Sequence, residues 1–222
     1  MNIVGLDASS KYLNVVIAKG ELTWEASFEA RKNSEQLPFL IGEGLKQMEL
    51  SIDDIDAVAL GKGPGSFTGL RMSFSFAKGL CMGRGMRLLA ISDFKIISQP
   101  IKSLGPIGVL IDARRNSVYL ALLEDGDFLI EPIRIDKKES VDLLKKAAAG
   151  KRLTLTGDAL GVYEDTFRGL SKMEVCDKKH WYPTSGGLFE CALVYLGENR
   201  LSDPALTLPE YLQAADWQVR KK

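Results

Sequence analysis

Ile3-Val4-Gly5-Leu6-Asp7-Ala8-Ser9-Ser10, continued by Lys11-Tyr12-Leu13-Asn14-Val15-Val16-Ile17-Ala18-Lys19-Gly20, decides the fold. An apolar run ends in Asp-Ala, a short polar turn follows, and a second apolar run ends on glycine. Two such runs joined by a tight turn predict a β-hairpin. The plan returns at Gly108-Val109-Leu110-Ile111-Asp112-Ala113-Arg114-Arg115, continued by Asn116-Ser117-Val118-Tyr119-Leu120-Ala121-Leu122-Leu123-Glu124-Asp125-Gly126. Asp7 and Asp112 lie 105 residues apart, and Ala8 and Ala113 keep that offset. Repetition at a fixed offset marks a duplicated unit, so two halves are expected, near 1–105 and 106–222. The identities are few, and two unrelated hairpins of one pattern are the alternative.

Outward from the first hairpin, 22–30 reads as a third strand. A helix follows over about 34–50, with Ser34 as its cap and Leu37, Leu40, Ile41, Leu45 and Met48 on one face. A short buried strand is expected at 57–60, a glycine-rich loop at 61–65, a helix at about 67–82 and a strand at 88–91. The second half repeats this with a strand at 127–135, a helix at 139–149 and a strand at 153–156. Strands alternating with helices after a three-strand meander predict an α/β mixed sheet.

The densest signal is Gly61-Lys62-Gly63-Pro64-Gly65-Ser66-Phe67-Thr68-Gly69-Leu70-Arg71. Glycines permit positive φ and close backbone approach. Ser66 or Thr68 can cap the helix that follows, and a helix N-terminus attracts anions. The terminal Gly-Lys-Ser/Thr of a P-loop is missing. A phosphate ligand and a tight ligand-free connection fit this spacing equally. In the helix itself, Gly69, Ser73 and Ala77 make a smooth face, with Leu70 and Phe74 supplying bulk. With two apolar helices in one half, a helix–helix interface with another chain is favoured over burial within the domain. Ala77→Arg or Gly69→Arg should then abolish pairing and leave the domain folded.

Composition narrows the function classes. Among 222 residues, 29 Lys+Arg balance 29 Asp+Glu for a net charge of zero. That argues against binding nucleic acid alone through a general basic excess, though a local basic patch remains compatible. A chain of this length buries roughly 70% of its unfolded surface and folds without disulfides or metal. Three cysteines without CxxC spacing write neither a disulfide framework nor a zinc site. The one histidine, His180, makes a multi-His metal site or a His triad a poor reading. No signal peptide and no apolar stretch of about 20 residues is visible, so a cytoplasmic protein is expected.

The Asp7-x-Ser9 motif, the block Gly63-Pro64-Gly65-Ser66-Phe67-Thr68-Gly69-Leu70-Arg71 and Asp112-Ala113-Arg114-Arg115 together resemble the TsaB family, formerly YeaZ, of bacterial tRNA threonylcarbamoyladenosine biosynthesis proteins. The resemblance is clear over about 1–125. Beyond that it thins to scattered matches such as Thr156-Gly157-Asp158 and Pro209-Glu210-Tyr211-Leu212. It implies an actin/Hsp70/sugar-kinase-like fold of two duplicated RNase H-like subdomains with mixed sheets. It also implies a non-catalytic paralogue of TsaD, the subunit that transfers the threonylcarbamoyl group to the adenosine beside the anticodon. Such a chain pairs with TsaD, meets the ATPase TsaE through the complex, pairs with itself when alone and touches tRNA indirectly. The pairing surface implied is the helical face carrying Leu37, Leu40, Ile41, Leu45, Gly69, Leu70, Arg71, Ser73, Phe74 and Ala77. No cofactor is expected to be tightly bound. ATP or ADP would sit at the interface of the complex, with Asp7, Ser9, Gly63, Gly65, Ser66 and Asp112 as the vestigial binding set in this chain.

The catalytic paralogue carries an HxxxH metal pair just after the strand that follows the glycine-block helix. Asp93 and Ile97 stand at those positions here, and one Asp cannot supply the three protein ligands such a site takes. The family's His-Ser-Glu ahead of the first helix is Asn33-Ser34-Glu35. No activated nucleophile is evident, which counts against the M22 peptidase grouping. Arg114 and Arg115 read either as surface ion pairs or as a contact to nucleotide, tRNA or partner. The rival class is a stand-alone ATP-dependent phosphotransferase or an M22-type peptidase.

Overall fold

The computed structural model describes residues 1–29, 36–148, 152–168, 170 and 173–212. The Ser34 cap and the Asn33-Ser34-Glu35 variant fall outside them.

β1 (Asn2–Asp7) and β2 (Tyr12–Lys19) form the first hairpin, with Asp7 opposite Asn14. β3 (Leu22–Glu29) adds antiparallel to β2. The chain then crosses through α1 (Gln36–Gln47) to β4 (Ala57–Gly61), parallel to β1. It crosses again through α2 (Phe67–Arg84) to β5 (Arg87–Ile91), parallel to β4. The sheet order is β3-β2-β1-β4-β5.

After α3 (Asp93–Ser98) the plan repeats. β6 (Ile107–Asp112), β7 (Ser117–Glu124) and β8 (Asp127–Asp136) form the meander. α4 (Lys137–Ala148) leads to β9 (Leu153–Thr156), parallel to β6. The short helices α5 (Ala159–Val162) and α6 (Glu164–Phe167) lead to β10 (Met173–Val175), parallel to β9. The second sheet runs β10-β9-β6-β7-β8, the first sheet's order read from its other end. Asp7 and Asp112 each close the first strand of their sheet. The fold is a duplicated α/β mixed-sheet architecture.

In the first sheet alternation sends side chains to two buried faces, so its inner strands read as continuous apolar runs. Val4, Leu6, Val15, Ile17, Val58, Leu60 and Leu88 face one core with α1 and α2. Ile3, Ala18, Ala57, Ala59, Leu89 and Ile91 face another. That second core is closed by α7 (Ser185–Gly197), through Leu188, Cys191 and Ala192. The compact units are Met1–Ile96 with Pro183–Glu210, and Ile97–Tyr182 with the described Tyr211 and Leu212; the sequence repeat places the division near 105. The second face of the first sheet is covered by α7, which returns to it from beyond the second sheet in the chain. Buried Asn14 Nδ2 anchors the return by donating to the Pro183 carbonyl at 2.9 Å. Beyond α7, Ser202 N–H donates to the Leu88 carbonyl at 2.8 Å, and Ser202 Oγ accepts from Ala90 N–H at 3.2 Å. This strap covers the β5 edge, where exposed pairing groups would invite association.

The helical faces correct the interface reading. Leu37, Leu40, Ile41, Leu45, Gly69, Leu70, Ser73, Phe74 and Ala77 are all buried within the first unit. They form the inward stripe that packs against the sheet. Arg71 alone of that set is exposed. The outward faces carry other residues, among them Phe39, Phe67 and Met82, each more than half exposed.

Candidate functional site

β1, β4 and β5 all end at one edge of the first sheet. In open α/β sheets ligands gather beyond the carboxyl ends of strands. Asp7, the last residue of β1, is fully buried, and its carboxylate accepts from the Ser9 hydroxyl at 2.7 Å and from Ser9 N–H at 3.2 Å. Asp93 opens α3 just past β5 and is also fully buried. Its Oδ1 accepts from Gly63 N–H at 3.1 Å, and its own N–H donates to the Gly63 carbonyl at 2.9 Å. Its Oδ2 is buried without a hydrogen-bond partner.

Burial pushes the Asp7 carboxyl up to about 6 against the pull of the Ser9 hydrogen bonds. Burial, then the charge of Asp7, raises Asp93 well above the carboxylate range, opposed by the Ser9 hydroxyl and the Gly63 amide. Glu210 adds to the same field from the strap; it contacts Ser92 Oγ at 3.0 Å and Lys62 Nζ at 3.8 Å, and its N–H donates to the Lys62 carbonyl at 2.7 Å.

The glycine block is packed against the hairpin turn. A Cβ on Gly65 would overlap the Ser9 carbonyl, and one on Gly69 would overlap the Ala8 carbonyl. Ser66 N–H donates to the Ser9 carbonyl at 2.6 Å, and Ser66 Oγ caps α2 by accepting from Gly69 N–H at 3.2 Å. Of the expected ligand set, Asp7, Ser9, Gly63, Gly65 and Ser66 are brought together, but their polar groups bond largely to one another. Ile97, at the second position of the paralogue's metal pair, is buried and apolar. No group of three His, Cys, Asp or Glu side chains among the described residues could hold a metal ion.

Asp112 lies in the second unit. Its Oδ1 accepts from Arg114 N–H at 2.9 Å and from the Tyr163 hydroxyl at 3.0 Å, and its Oδ2 pairs with Arg114 Nη1 at 3.3 Å. Its N–H donates to Asp158 Oδ1 at 2.9 Å. Burial is the main cause that raises the Asp158 carboxyl. Sequence reasoning missed Tyr163, Ser92 and the strap contact of Glu210, because each is joined to its partner only by the tertiary fold.

With two Asp-ended first strands and the glycine block in place, the comparison with known proteins becomes decisive. Residues 27–161 match the family described as TsaD, tRNA N6-adenosine threonylcarbamoyltransferase. The chain belongs to that family. It is 31% identical over 125 residues to the tRNA threonylcarbamoyladenosine biosynthesis protein TsaB of Haemophilus influenzae, covering 54% of this chain and 53% of that protein. It is 32% identical over 126 residues to TsaB of Escherichia coli K12, covering 54% of each. The chain thus spans about half the length of these curated TsaB relatives. YeaZ from Pseudomonas aeruginosa superposes with a TM-score of 0.81 at 22% identity, over 95% of this chain and 99% of that one, and shares the fold. No described helix is long and apolar enough to cross a membrane.

Proposed function

We propose that this TsaB-type chain is a non-catalytic activating subunit for threonylcarbamoyl transfer to the adenosine beside the anticodon of tRNA. It acts by pairing with a TsaD-type catalytic subunit, with the ATPase TsaE joining through the complex. One observation carries the reading. The outward faces of α1 and α2 bear Gly42, Gly79 and Gly83, and a Cβ at any of them would meet nothing within 4 Å. Glycine inside a helix costs about 1 kcal/mol relative to alanine, and the unit's own packing does not call for it there. The same two helices carry exposed Phe39, Phe67 and Met82. Small residues set among exposed large apolar ones form a face that another helix can approach closely.

The carboxylates support a subunit without turnover of its own. Asp7 and Asp112, where an actin-like kinase would address a metal–phosphate, are each held by local hydrogen bonds. Asp93 is locked to Gly63 and Ile97 offers no ligand atom. In this reading nucleotide binds at the interface of the complex and the chain alone holds none tightly. It works in the cytoplasm, and pairs with a second copy of itself through the same outward face when TsaD is absent. A Gly79→Arg variant tests the pairing face: it should fold as the parent does and fail to co-purify with TsaD. Unchanged pairing would remove α2 from the interface.

A further inference from the structure

The hairpin turn of the second unit is built at a conformational cost that the first unit avoids. Arg114, Arg115 and Asn116 have φ of 61°, 50° and 61°, three consecutive non-glycine residues in the left-handed region. L side chains adopt it reluctantly. The β2–β3 turn of the same chain places Gly20 at positive φ, and the β7–β8 turn places Asp125 and Gly126 there; neither has three consecutive non-glycine residues in that region. No residue of the first unit's equivalent turn, 8–11, has positive φ.

The surroundings hold that shape. Asp112 bonds the Arg114 amide and guanidinium and the Tyr163 hydroxyl. The Asn116 carbonyl accepts from Lys137 N–H at 2.9 Å. Lys137 Nζ in turn lies 4.6 Å from the centre of the Tyr163 ring. The product is a braced turn that projects cations. The Arg114 side chain is 84% exposed, and Arg115 is exposed with no ion-pair partner among the described residues. Strain held in place by its surroundings clusters at functional sites, and arginine's planar fork suits phosphate oxygens.

We infer that the Arg114–Asn116 turn, with Lys137 beside it, is a contact for the phosphate backbone of RNA. The choice of tRNA as that RNA rests on the function proposed above. An extended backbone fits better than a nucleotide polyphosphate. Asp112 and Asp158 lie at the base of the turn and would repel a polyphosphate inserted there, whereas a backbone needs only the outward guanidiniums. The chain's net charge of zero is no obstacle, since the contact is local.

The test is fluorescence anisotropy of a labelled tRNA transcript with the full chain, alone and with TsaD, across a salt series. Arg115→Gly should weaken binding several-fold or more. It should also make the slope of log affinity against log salt shallower by about 0.7–0.9, the loss of one phosphate contact. Thermal stability should not fall, because glycine is at ease at this φ. Arg115→Asn, which also tolerates the turn, should show the same loss. Unchanged affinity and slope, no tRNA binding by the parent in either setting, or parental binding by the Asn variant would each overturn the inference. So would loss of a fluorescent ATP analogue with RNA binding intact, which would assign the turn to nucleotide. Pairing with TsaD, measured in parallel, tests the proposed function separately and should be untouched by Arg115→Gly.

Discussion

Gly63 and Asp93 hold each other from both sides. The Gly63 amide donates to the Asp93 carboxyl at 3.1 Å, and the Asp93 amide donates to the Gly63 carbonyl at 2.9 Å. This clasp fixes the glycine block to the start of α3. It also buries a carboxyl whose second oxygen has no partner, within the field of buried Asp7. At the position where the family resemblance implies a metal pair in TsaD, this chain has a structural clasp.

The clasp makes stability depend on pH. Both carboxyls have pKa values raised by burial, Asp7 to about 6 and Asp93 well above the carboxylate range. The folded state then keeps protons that the unfolded state has lost. Stability should fall as pH rises from about 4 through about 6 and beyond, and level off once both groups are ionised. Asp93→Asn keeps the acceptor for Gly63 and removes the charge. Urea unfolding across pH 4–8 should show a flatter profile and higher stability than the parent at the alkaline end. A loss of stability at every pH would show that the carboxylate itself is required.

Two glycines on one helix should behave oppositely. Gly69→Ala drives a methyl into the Ala8 carbonyl and should cost about 1–3 kcal/mol. Gly79→Ala enters open space and should stabilise the isolated chain by up to about 1 kcal/mol. Thermal unfolding of the pair checks both signs.

Arginine substitutions separate core from surface on α2. Ala77 is fully buried, so Ala77→Arg should unfold the chain, with loss of its far-ultraviolet circular dichroism transition. Gly79→Arg should keep that transition. A folded Ala77→Arg variant would contradict the placement of that face against the sheet.

Much of this was legible in the sequence. The Asp7–Asp112 offset became two sheets of one strand order, and the α1 and α2 periodicities became helices. Ser66, read as a cap, is one. Periodicity could not say what the apolar stripe of α1 and α2 faces, because its residues look the same against a sheet as against a partner. The outward glycines were the better signal, since their lack of close neighbours is visible only in three dimensions. The return of α7 to the first unit was hidden for the same reason, as its partners Ile3 and Ala18 lie far away in the chain. Tyr163 gave no local sign that it braces Asp112.

The most direct test of the activating role is tRNA threonylcarbamoylation by the TsaD of the same organism, with its other required components, measured with and without this chain. A stable complex and modification that requires the chain are predicted. Full modification in its absence, or turnover by this chain alone, would contradict the account.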